Sequence, residues 1–77
     1  MIVMKVTLIA VLSGVQMSTP VQWTLDGKQI GNRSSLVTEV PAKSGTHEVC
    51  ATLKAITRCV KFAAEISTET TLPVAMD

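Results

Sequence analysis

Between His47 and Phe62 the chain contains two runs that match each other in one antiparallel register. Val49 then faces Val60 and His47 faces Phe62 on one side. Cys50 faces Cys59 and Glu48 faces Lys61 on the other, and Thr52 faces Thr57. One alignment thus joins an apolar pair, both cysteines and an opposite-charge pair. Directly opposed residues stand ~4.5–5.5 Å apart, and such pairs stabilise a sheet. A slip of one residue turns every side chain to the other face and breaks all of these pairings. The residues therefore predict a hairpin, with the remaining strands covering its Val49–Val60 side.

The 77 residues make one domain, 1–77, because a chain this short supports a single core. Such a domain buries only ~60% of its unfolded surface, so a staple or an assembly partner would matter to its stability. A hydrophobic content of 47% excludes disorder by composition. The net charge of +1 comes from scattered residues and leaves no electrostatic footprint for nucleic acid. Tyr is absent and Phe62 is the one phenylalanine, so base-stacking platforms are missing as well. Two cysteines do not make a disulfide-rich scaffold. With one histidine they do not by themselves close a tetrahedral structural zinc site. No cofactor and no metal are expected.

Met1 to Gly14 permits two readings. Lys5, the apolar run Val6 to Leu12 and the small residues after it resemble a short secretory signal. The run is far below the ~20 residues of a membrane span. Against the signal, Ile2, Met4, Val6, Leu8, Ala10 and Leu12 alternate strictly with a mixed face of Val3, Lys5, Thr7, Ile9 and Val11. That period of two favours a core strand with a partly covered back. Gly14 to Pro20 reads as a connection. Val21, Trp23 and Leu25 alternate with polar residues, and Asp26-Gly27 is a strong type I′ hairpin signal that sets Trp23 opposite Ile30. Ser35 to Val40 is a short strand ended by Pro41, and Lys43-Ser44-Gly45 is a turn. Val60, Phe62, Ala64 and Ile66 share the inner side of the last long strand. The segment 67–77 is an edge strand or a docked tail, since Pro73 keeps it out of a sheet centre. The expected fold is all-β: a small sandwich of about six to seven mostly antiparallel strands. Its core is Leu8, Ala10, Trp23, Val49, Val60 and Phe62.

From Val6 to Ile66 the order resembles an immunoglobulin-like (Ig-like) sandwich of the bacterial or phage kind. Val6-Thr7-Leu8 through Ser13-Gly14 is similar to strand B and its exit. Val21-Gln22-Trp23 and Asp26-Gly27-Lys28 resemble strand C, its buried Trp and the turn into C′. Ser44-Gly45-Thr46-His47, with Val49 and Ala51, resembles the approach to strand F. The chain departs from the family at Ala10 and Val49, where the inter-sheet cysteines would fall. It departs again at His47, where a tyrosine is usual, and in lacking a first strand A.

The candidate sites are few. Catalysis by His47 needs a nucleophile within reach, and both cysteines face the opposite side of the hairpin. Trp23 has the surroundings of a core residue rather than of a ligand platform. Asn32-Arg33-Ser34 is a formal glycosylation acceptor that reads as solvated loop. The acidic residues form no carboxylate pair or calcium loop by spacing. Cys50 and Cys59 are a possible disulfide or two thiols. Their face, with Ala63, is less polar than solvent favours, and the C-terminal segment or another subunit would cover it. Val3, Ile9 and Val11 are candidate interface residues for the same reason.

These readings favour a non-catalytic assembly module that makes protein–protein contacts. The expected setting is a virion assembled in the host cytoplasm, as in a phage capsid decoration or tail-associated Ig-like protein. The alternative is a secreted or cell-surface binding or adhesion module. The expected partners are other protein subunits. No nucleic acid, membrane span or small-molecule substrate is expected.

Overall fold

The computed structural model describes residues 3–41, 45–63 and 69–77. Among these it contains eight strands: β1 (Val3–Leu12), β2 (Val15–Gln16), β3 (Gln22–Leu25), β4 (Lys28–Gly31), β5 (Ser35–Pro41), β6 (Thr46–Leu53), β7 (Ile56–Ala63) and β8 (Glu69–Ala75). They form two four-stranded sheets, β1 with β2, β5 and β8, and β4-β3-β6-β7. All pairings are antiparallel except β1 with β8. The molecule is a small all-β sandwich.

The β6–β7 ladder pairs His47 with Phe62, Glu48 with Lys61, Val49 with Val60, Cys50 with Cys59 and Thr52 with Thr57. Lys54-Ala55 closes it as a two-residue loop, with Lys54 at φ 56°. On the other side of β6, Gln22 to Leu25 pair with Thr52 to Val49. The inner faces of the two sheets then meet in one core. Met4, Val6, Leu8 and Ala10 of β1 pack with Val21, Trp23, Val40, Val49, Ala51, Val74 and Met76. Val60 and Phe62 pack against this cluster as partly buried side chains. Trp23 is fully buried, and its indole N–H donates to the Arg33 carbonyl at 2.7 Å, so its polar atom is satisfied.

β1 is the axis of its sheet. Ala10 N–H donates to the Ser34 carbonyl at 3.1 Å, and Ala10 C=O accepts from Met17 N–H at 2.8 Å. One residue's backbone groups point to a single side of a strand, so β5 and β2 follow each other along one edge of β1. β8 takes the other edge, pairing Lys5–Val11 with Glu69–Ala75. Met76 N–H donates to the Val11 carbonyl at 2.8 Å. The even-numbered residues of β8 therefore turn their backbone groups to β1, and Pro73 lies at the open edge, where a missing N–H costs no ladder bond.

Four expectations need correction. The Gly14–Pro20 connection contains β2: Ser13 and Gly14 take φ of 54° and 79°, so a type I′ turn folds the chain straight back on β1. Leu12 is not core but 44% exposed, because it belongs to the tip of that hairpin, paired with the exposed Val15. Trp23 pairs with Gly31 and not Ile30, because a bulge shifts the register between Trp23 and Thr24. A Cβ at Gly31 would sit 2.7 Å from Leu36 Cδ2, so glycine admits the close approach there. Finally, β8 does not cover the cysteine face; it pairs with β1 in the opposite sheet, as an edge strand. Ile2, Lys43, Ser44, Ala64, Ile66 and Ser67, and the side chain of Val3, lie outside the described residues.

Candidate functional site

The outer face of the β4-β3-β6-β7 sheet carries the one covalent cross-link, Cys50–Cys59. The two Cα atoms are 4.0 Å apart on adjacent strands. Across the sheet the row continues to Thr24, which pairs with Cys50, and to Gln29, which pairs with Thr24. The row on one side holds Thr52 and Thr57, whose hydroxyls are 3.0 Å apart. The row on the other holds Glu48 opposite Lys61. Gln29 donates to Gln22 at 2.9 Å on the same face. Hydroxyls, amides and charges thus surround the bridge, and the face is more polar than the pairing of Cys50, Cys59 and Ala63 alone implies. The Glu48 carboxylate and the two sulfurs lie within 4.8 Å of one another.

A second cluster lies at the end of β3. Asp26 takes φ 51° in the Asp26-Gly27 turn, and its N–H donates to the Glu48 carbonyl at 2.8 Å. Its carboxylate accepts from Glu48 N–H at 2.9 Å and lies 2.6 Å from His47 Nδ1. The hydrogen bond to His47 and then that to the Glu48 backbone hold the Asp26 carboxyl below its ordinary pKa. The His47 ring leans on Phe62, with centroids 5.7 Å apart. An Asp–His pair of this kind orients an imidazole. Among the described residues no hydroxyl or thiol hydrogen-bonds to that ring. Sequence reasoning missed Asp26 as the partner of His47. The signal was present only in combination: the β3–β6 register, continued one step past Leu25–Val49, sets Asp26 beside Glu48.

The outer face of the β1 sheet has a charged end and an apolar end. Lys5 stands between Glu39 and Glu69, and Thr7 between Val37 and Thr71. Ile9 lies between Ser35 and Pro73, and Val11 beside Ala75. Ile9 and Val11 are half-buried, while Val37 is 62% exposed. Ala63 is exposed at the end of β7, far from this band in the pairing order. Asn32 and Arg33 are exposed in the β4–β5 loop. Compared with known proteins, the chain matches no family model, no curated protein and no solved structure.

Proposed function

We propose that this protein is a non-catalytic assembly module that works by contact with other protein subunits. The observation that carries the reading is the outer face of the β1 sheet. Ile9, Val11, Val37, Pro73 and Ala75 form an apolar band on it, and among the described residues the β4-β3-β6-β7 sheet packs on its opposite side. A partner on that band would remove apolar surface from water at ~25 cal/mol per Å². A specific contact would bury ~1,000 Å² or more in total.

The finer reading is an Ig-like module of the bacterial or phage kind. The order β4-β3-β6-β7 is similar to C′-C-F-G, and the antiparallel β1–β5 pair is similar to B and E. The parallel β8 stands beside β1, where a first strand would run the other way. The virion setting, as a capsid decoration or tail-associated protein, rests on that resemblance.

The Cys50–Cys59 bridge favours a second reading, a secreted or cell-surface module, since disulfides persist in oxidising compartments. That reading requires the Met1–Gly14 segment to be retained, because β1 supplies Met4, Val6, Leu8 and Ala10 to the core.

The test is mass in solution by sedimentation, with the parent and a Val37→Glu variant, and recovery of the protein in its native particle. Self-association or a stoichiometric protein partner, weakened by Val37→Glu without loss of strand signal, supports the assembly reading. A stable monomer at high concentration with no partner recovered refutes it.

A further inference from the structure

The sulfurs of Cys50 and Cys59 and the carboxylate of Glu48 form a three-donor cluster on one rigid strand pair. We infer that, once the bridge is reduced, this cluster is a binding site for a thiophilic divalent cation such as Zn(II). Its ligands are Cys50 Sγ, Cys59 Sγ and one Glu48 oxygen, and its fourth position is open to water.

The donor chemistry suits such an ion. Two thiolates and a carboxylate leave a borderline-soft cation one coordination position short of tetrahedral closure. Metal–sulfur bonds of ~2.3 Å in a tetrahedron place the sulfurs roughly 3.8 Å apart. Both cysteine side chains rise from Cα atoms 4.0 Å apart on the same face. Once the S–S bond is broken, a change of χ1 rotamer at either cysteine would separate the sulfurs with the strand pairing kept. Glu48 precedes Cys50 by two residues, so the pleat keeps its side chain on the cysteine face.

The frame does not depend on the bridge. Register pairs flank it on both sides, from His47–Phe62 to Leu53–Ile56, and β6 is paired along its other edge with β3. Beside the cluster, Thr24 pairs with Cys50 across the sheet. Lys61 stands opposite Glu48 in the register, a cation on the same face as the carboxylate.

The chemistry balances without any group from elsewhere in the chain. A dithiol reductant gives two electrons and two protons to the disulfide and itself becomes a disulfide. The two thiols then lose their protons to solvent as the metal–sulfur bonds form. The bridge and the metal site are thus alternative states of the same two sulfurs.

The experiment uses the full chain reduced under anaerobic conditions and titrated with Co(II), then Zn(II), with circular dichroism recorded in parallel. The expected result is a thiolate-to-cobalt charge-transfer band that saturates at one ion per chain and is bleached by Zn(II). Cys50→Ser removes the band. Glu48→Gln, which keeps both cysteines, weakens binding on the order of tenfold or more. The inference is overturned if the reduced chain keeps its strand signal and gives no band. It is equally overturned if saturation falls at one ion per two chains, or if Glu48→Gln binds as tightly as the parent. A reduced chain that loses its strands and does not regain them with the ion also overturns it.

Discussion

Asp26 carries three local duties on one side chain and one backbone. It takes positive φ in a tight turn, accepts a backbone N–H from Glu48, and pairs with His47. Short polar side chains tolerate the left-handed region and bond to nearby backbone, which is why an Asp-Gly pair is found here. The carboxyl is held below its ordinary 3.8 in the folded chain. The unfolded state therefore binds more protons between that lowered pKa and 3.8. Stability from this group is complete above pH 3.8 and is lost as pH falls through the folded value. Asp26→Asn retains the turn and one acceptor but removes the titration. Thermal melts across pH 2 to 6 should show a shallower acid limb in the variant than in the parent. An unchanged limb would mean that the pair does not form in solution.

The hairpin is the element whose register is specified most redundantly. Its disulfide joins residues nine apart, and chain-entropy models give roughly 2–3 kcal/mol for a loop of that size. Replacing Cys50 and Cys59 together by alanine should lower stability by about that amount in denaturant melts. The ladder itself should survive, because Val49–Val60, Glu48–Lys61 and Thr52–Thr57 still demand it. Cross-strand amide contacts measured by NMR report this directly, and a shifted set of contacts would contradict it. The β3–β4 hairpin is less determined by its sequence. Asp26-Gly27 predicts the turn, yet the bulge beside Trp23 advances the partner from Ile30 to Gly31. Turn chemistry sets only the pairs next to the loop, and the approach of Gly31 to Leu36 decides the next one.

At the scale of the molecule, both sheets close on Trp23, the largest fully buried side chain. Trp23→Ala removes its contacts with β1 and β6 and frees the Arg33 carbonyl from its indole donor. Large-to-small changes of this kind cost ~3–5 kcal/mol. Single domains are stable by ~5–15 kcal/mol, and small ones lie toward the low end. Far-UV circular dichroism of Trp23→Ala should show a strongly lowered melting temperature or an unfolded chain. A variant that melts like the parent would mean that Trp23 does not join the two sheets. The edges also matter at this scale. β8 is blunted by Pro73 at its open side, whereas β7 runs eight residues without a proline and, among the described strands, ends its sheet.

Matching residue pairs mark the β6–β7 register, and alternation along single strands marks the inward face of β1 from Met4 to Ala10 and the Val21–Trp23–Leu25 stripe. These are local properties, because a side-chain period of two and a turn dipeptide act within a few residues. The same pattern misassigned Leu12, whose period is right but whose place at a hairpin tip leaves it uncovered. Only the tertiary structure decided that β8 runs parallel to β1, that Met76 enters the core, and that Asp26 meets His47. Each of these joins segments distant in sequence. Their pairing depends on which sheet edge is left free once the other strands have closed, and periodicity says which face a residue takes but not which neighbour it finds.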